Sequence, residues 1–192
     1  LTWESAKRTI QGAVDAAVGG DEIWVAAGTY AGAYLKHGLR LYGGFRGTET
    51  SLGERDYVRN KTIVDGNNRY PMLHISNATS ATAIDGFVLE RSAAYGAIEC
   101  SFASPTIVNN IINTTNYGSG ILMQGFPDRF LIANNVITGS RNTGINLRYW
   151  HSTMEMPIST MEDAGLITNN TLMGNSGSGL YVYRVGVTAA NN

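Results

Sequence analysis

Apolar and polar positions alternate in short runs along most of the chain, separated by Gly, Asn and Ser. That is the pattern of brief β-strands with one buried face, because side chains switch face with period 2. The runs also recur. Thr106-Ile-Val-Asn-Asn-Ile-Ile112, Leu131-Ile-Ala-Asn-Asn-Val-Ile137, Leu166-Ile-Thr-Asn-Asn-Thr-Leu172 and Val187-Thr-Ala-Ala-Asn-Asn192 align on a doubled asparagine. The second Asn of each pair falls at 110, 135, 170 and 192, in steps of 25, 35 and 22 residues. Ala83-Ile-Asp-Gly-Phe-Val88, Thr62-Ile-Val-Asp-Gly66 and Leu39-Arg-Leu-Tyr-Gly-Gly44 fit the same repeat further upstream. A second series runs beside it: Gly96-Ala-Ile-Glu-Cys100, Gly120-Ile-Leu-Met-Gln124, Gly144-Ile-Asn-Leu-Arg148 and Gly179-Leu-Tyr-Val-Tyr183. Both series contain one step of 35, which marks an insertion at about 150–164 rather than a broken repeat. A second insertion spans about 45–60.

A coil of this length holds two or three short strands, so the repeat predicts an all-β solenoid, a parallel β-helix. Ile98, Ile121, Ile145 and Leu180 are expected to stack inside, one per coil, and Cys100, Met123, Leu147 and Val182 to do the same. The glycine before each strand of the second series is expected to turn a corner with positive φ. Asn110, Asn135, Asn170 and Asn192 read as a structural amide ladder from coil to coil. Residues 1–20 read as a cap and 21–192 as coils. The cap is expected to be an amphipathic helix from Ser5 to Val18, with Ser5 as N-cap, Ile10, Val14 and Ala17 on one face, and Gly19-Gly20 as the stop. Asn191-Asn192 stops in mid-repeat, so an open sheet edge is expected there, continued by further residues or covered by another subunit.

Composition narrows the function classes. With 43% hydrophobic and 15% charged residues the chain is not disordered by composition, and a net charge of −1 supplies no field to draw nucleic acid. No stretch is apolar for long enough to insert in a membrane as a helix. Cys100 is the one cysteine, which excludes an internal disulfide and reads as a small buried apolar side chain. Nothing in the sequence calls for a cofactor or a metal.

Trp3-Glu-Ser-Ala6, Gly20-Asp-Glu-Ile-Trp-Val-Ala-Ala-Gly-Thr-Tyr30, Leu41-Tyr-Gly-Gly-Phe-Arg-Gly-Thr-Glu-Thr50 and Arg55-Asp56 resemble the N-terminal region of secreted bacterial β-helix surface proteins. These belong to the pectin-lyase-like superfamily, with a likeness to polymorphic outer-membrane, adhesin-type repeat proteins. The resemblance implies a right-handed helix and an exported, extracellular or cell-surface protein. It carries over no catalytic residue, since the Asp and His-Gly motifs of polygalacturonase-type hydrolases and the acidic cluster of a lyase-type calcium site are missing.

Two outward lines are expected on the strands of the second series. One is His74, Glu99, Leu122, Asn146 and Tyr181; the other is Ser76, Ser101, Gln124, Arg148 and Tyr183. Amide, guanidinium and phenol groups in such a ridge suit sugar binding; a plain solvated sheet face is the alternative. His74 opposite Glu99 reads as a surface ion pair, with an acid–base pair as the alternative. Trp150, Met154, Met156 and Met161 in the second insertion read as a partner-contact loop or a satellite core. The sequence therefore suggests a non-catalytic structural or adhesive module, self-associating through its end coils or binding other surface proteins. A polysaccharide-active lyase or hydrolase, or a glycan-binding module, stands as the alternative.

Overall fold

The computed structural model of the chain describes residues 2–68, 72–125, 128–149 and 165–192. Its strands wind coil by coil. The first coil holds β1 (Glu22–Ala26), β2 (Gly28–Tyr30) and β3 (Ala33–Leu35). The second holds β4 (Arg40–Phe45), β5 (Thr62–Asp65) and β6 (Leu73–Ser76), and the third β7 (Ala83–Asp85), β8 (Phe87–Ser92) and β9 (Gly96–Ser101). The fourth holds β10 (Thr106–Val108), β11 (Ile111–Thr115) and β12 (Ser119–Gln124). The fifth holds β13 (Phe130–Ala133), β14 (Val136–Thr138) and β15 (Ile145–Arg148). The sixth holds β16 (Gly165–Thr168), β17 (Thr171–Met173) and β18 (Leu180–Tyr183), and β19 (Val187–Ala190) opens a seventh. First, second and third strands of successive coils pair in parallel into sheets of seven, six and six strands. The chain is a right-handed parallel β-helix.

The core consists of columns. In the third sheet Ala33, Leu73, Ile98, Ile121, Ile145 and Leu180 are register partners in turn, and Leu35, Ile75, Cys100, Met123, Leu147 and Val182 form the next column, although Val182, expected inside, is 36% exposed on the last coil of this sheet. From Leu73 to Ile145 the first column is wholly buried, so each side chain contributes roughly 2 kcal/mol of burial.

The doubled asparagines divide two tasks. Asn109, Asn134, Asn169 and Asn191 take left-handed φ of 54–57° and turn the corner between the first and second sheets, a conformation Asn tolerates. Asn110 and Asn135 point inward with no exposure, and Asn170 with 3%. Asn135 Oδ1 accepts from the Asn110 backbone N–H and side-chain amide, at 3.0 and 3.1 Å. Asn170 Oδ1 does the same for Asn135, and Asn192 Oδ1 for Asn170.

The structure corrects several expectations. The glycines of the second series do not have positive φ. They serve close approach instead: a Cβ on Gly120 would lie 2.4 Å from Ile137 Cγ2, and one on Gly144 2.6 Å from the Gly179 carbonyl oxygen. Gly96 also pairs with Ser119, not Gly120, so that series is one residue out at its first step. The cap helix is shorter than expected. α1 runs from Ile10 to Ala16, and Thr9 caps it by accepting the Gly12 N–H at 3.0 Å. Ser5 ends a 3-10 turn, Trp3–Ser5, because Ala6 is extended and breaks the helix before Thr9. Ile10 and Val14 bury on the first coil. Gln11 accepts the N–H of Tyr34, and Lys36 donates to the carbonyls of Asp15 and Ala17, which meets the orphan carbonyls of the helix end.

The first insertion is tethered. Arg55 Nη2 lies 2.5 Å from Asp85 Oδ2, with both side chains nearly buried, and its Nη1 donates to the Gly43 and Asp85 carbonyls. The Arg55 guanidinium also lies over the Tyr42 and Tyr57 rings at 5.2 and 5.3 Å.

Candidate functional site

Period-2 alternation in the third sheet turns one residue out for each residue turned in. Parallel register then stacks the outward residues in two columns. Tyr34, His74, Glu99, Leu122, Asn146 and Tyr181 form the first. Ser76, Ser101, Gln124, Arg148 and Tyr183 form the second.

The columns are not uniformly open. Asn146 is 2% exposed and Leu122 8%, so neither joins a solvent-facing ridge, contrary to the sequence expectation. Asn146 is held by two side-chain hydrogen bonds. Asn146 Nδ2 donates to Ser119 Oγ at 3.3 Å, and Asn146 Oδ1 accepts from Arg148 Nε at 3.0 Å. Asn146 thus aims Arg148, whose guanidinium lies 5.7 Å from the Tyr181 ring centre. Gln124 is half-buried, whereas Arg148, Tyr181 and Tyr183 are exposed.

His74 sits between Tyr34 on one coil and Glu99 on the next. The Tyr34 and His74 rings lie 5.3 Å apart, tilted by 50°. His74 Nδ1 stands 3.8 Å from Glu99 Oε2, and His74 Nε2 lies 2.8 Å from Ser76 Oγ. Glu99 Oε1 accepts the Gly96 N–H at 2.9 Å, which fixes the carboxylate.

Aromatic rings border this sheet at its ends and turns. Tyr95 precedes β9, Phe102 follows it, and Tyr117 precedes β12; Tyr95 and Tyr117 meet edge to face at 5.8 Å. Among the described residues, the exposed Phe, Tyr and Trp side chains are Tyr34, Tyr95, Phe102, Tyr117, Tyr181 and Tyr183, and all lie on the third sheet or its flanking turns. Tyr34, Tyr95, Phe102 and Tyr117 escaped the sequence reading. Extending the first outward column back one coil finds Tyr34; the turn residues carry no periodic signal. A hollow of about 1170 Å³ opens between α1 and the first coil, lined partly by Ile10, Trp24 and Tyr30, and among the described residues no His or Cys faces it.

The family described as "Periplasmic copper-binding protein (NosD)" matches residues 14–192. The chain belongs to the NosD family. Comparison with curated proteins and with solved structures gives no match. Copper in the NosD description calls for imidazole or soft sulfur ligands. Among the described residues no three His, Cys, Asp or Glu side chains stand close enough to hold a metal. Burial, and then the Glu99 carboxylate, pushes the Cys100 thiol well above its usual 9.0, so it offers no thiolate. The described coils of this NosD-family chain therefore offer copper no cluster of imidazole, thiolate or carboxylate ligands. Trp150, Met154, Met156 and Met161 lie outside the described residues.

Proposed function

We propose that the chain is an exported adhesive module that binds extended polysaccharide along the outer face of its third sheet. One observation carries this reading: the exposed aromatic rings of the described residues gather on that face and its edges. Sugar rings stack on aromatic faces through their C–H groups, while hydroxyls need amide, guanidinium and carboxylate partners; amphipathic Tyr serves both demands. Six strands at about 4.8 Å spacing give a face about 24 Å long, suited to a chain of several sugar units rather than to one. Arg148 and Arg184 add cations beside Tyr181 and Tyr183, which favours a polymer bearing carboxylates at that end. The NosD family's periplasmic description supports export.

The test is affinity electrophoresis through gels containing neutral or uronate-bearing polysaccharides. The expected result is retardation in at least one uronate-bearing gel, weakened about tenfold by Tyr95→Ala with Tyr117→Ala, which is the loss of roughly 1.4 kcal/mol of stacking. Mobility unchanged in every gel, or a double variant retarded like the parent, overturns the proposal.

A further inference from the structure

His74, Ser76 and Glu99 stand together in a geometry that the binding reading does not use. A serine hydroxyl is a weak nucleophile until a base takes its proton, and the base must be held in one tautomer by a third group. The three residues meet both needs. Ser76 Oγ is 2.8 Å from His74 Nε2, and the other ring nitrogen faces Glu99 Oε2 at 3.8 Å. An ionised carboxylate only accepts, so the Glu99 side favours the proton on Nδ1 and leaves Nε2 free to accept from the Ser76 hydroxyl. The 3.8 Å contact exceeds hydrogen-bond length, as catalytic contacts commonly do before substrate binds. Orientation is imposed from both sides. The Tyr34 ring packs on His74 from the preceding coil, and the Gly96 N–H grips Glu99 from the following one.

The solenoid builds this group from its repeat. Residues 74 and 76 share a face because side chains alternate, and register brings Glu99 opposite His74 and Ser101 opposite Ser76. His74 and Glu99 keep side-chain exposures of 24% and 17%, so the group is partly desolvated yet open to a surface-bound polymer.

We propose that Ser76, His74 and Glu99 form a nucleophilic relay that cleaves carboxylic esters, removing acyl groups from ester-decorated polysaccharide held on the third sheet. The polysaccharide part rests on the function proposed above; the ester cleavage does not. Ser76 Oγ attacks the ester carbonyl carbon while its proton passes to His74 Nε2. The bond from that carbon to the sugar oxygen breaks, and the sugar oxygen takes the proton from Nε2. Water then attacks the acyl-serine, giving its proton to Nε2; the acid leaves and Ser76 regains its hydrogen. Ser101 supplies the hydroxyl that donates to the oxyanion, and Glu99 is a positioning residue acting through His74.

The experiment treats the whole chain with a fluorophosphonate probe and reads intact mass and the labelled peptide, with hydrolysis of p-nitrophenyl acetate followed in parallel. One adduct on Ser76 is expected. Ser76→Ala and His74→Asn should abolish it, with ester turnover down by about 10³-fold. Glu99→Gln should lower kcat about 10- to 100-fold with KM unchanged, a split that a purely structural loss does not give. Circular dichroism of each variant checks that the coils persist. Should His74→Asn fail to fold, Ser76→Ala alone decides, since it removes one oxygen. No adduct on the folded parent, or an adduct that survives Ser76→Ala, overturns the relay. Labelling without polysaccharide retardation removes only the polysaccharide part; retardation without labelling removes only the relay.

Discussion

Asn135 Oδ1 receives two hydrogen bonds from Asn110, one from the backbone N–H and one from the side-chain amide, at 3.0 and 3.1 Å. Asn135 in turn donates to the Ile107 and Ala133 carbonyls and passes the pattern on to Asn170. Each buried amide satisfies backbone groups of its own coil and of a neighbour, so removal strands several at once. Asn135→Leu should therefore cost about 3 kcal/mol or more, since every orphaned buried polar group costs roughly 1–3 kcal/mol. Urea unfolding followed by circular dichroism measures it. The exposed control Lys61→Ala should stay within about 0.5 kcal/mol. Equal midpoints for the two variants would show the ladder to be energetically idle.

Arg55 holds the 46–61 segment to the helix through Asp85, at 2.5 Å with side-chain exposures of 12% and 11%. Removing Arg55 leaves the nearly buried Asp85 carboxylate without its counter-ion, held, among the described residues, only by the Asn109 amide at 2.8 Å. Arg55→Met should destabilise by about 3–5 kcal/mol. Amide hydrogen exchange should speed up first in residues 46–61. Arg55→Met with Asp85→Asn should recover part of the loss, and an exchange pattern unaltered by either variant would dismiss the tether.

Glu49 loses some solvation, which raises its pKa. The N–H groups of Arg46, Thr48, Glu49 and Gly47 together outweigh this and hold the carboxyl below its usual 4.5. The Arg91 side chain, with the Asn67 N–H, holds Asp65 below its usual 3.8. Both groups are therefore less protonated folded than unfolded across that range. Their stabilisation is complete above the ordinary values and is lost as pH falls through the depressed ones. Glu49→Gln should lower Tm at pH 7, and the gap from the parent should close towards pH 3. A gap that holds constant with pH would contradict the assignment.

Phe102 has φ of 49°, a left-handed conformation unfavourable for a bulky side chain, and the residue is 52% exposed. Phe102→Gly should relieve strain and raise stability by up to about 1 kcal/mol. Loss of the ring should at the same time weaken retardation in polysaccharide gels. Thermal melts and affinity electrophoresis on one preparation separate the effects; lowered stability with full retention would run against both.

Cys100 is buried among core residues, with its thiol pushed well above its usual 9.0. It should ignore an aromatic disulfide reagent in the folded chain and react at once in denaturant. Cys100→Ala should leave copper(I) uptake, assayed by chelator competition, at the parent's value. A drop in uptake would place a copper ligand in the core.

The solenoid was legible in residue spacing. Doubled asparagines and alternating runs recur once per coil because every coil buries an equivalent face, so the period and the inward columns follow from spacing, while the glycines of the second series misplace the first third-sheet step by one residue. Contacts between coils supplied what spacing cannot carry. Asn146 lies in an outward column, yet it is 2% exposed and hydrogen-bonded to Ser119 and Arg148, because exposure depends on neighbours and not on parity. Gly120 and Gly144 proved to be sites of close packing rather than of positive φ, since what a Cβ would strike belongs to another strand. Ser76 became a partner of His74 only when a rotamer brought Oγ to 2.8 Å from Nε2. Parity put both on one face; side-chain torsions, set by Tyr34 and Glu99 on adjacent coils, closed the contact.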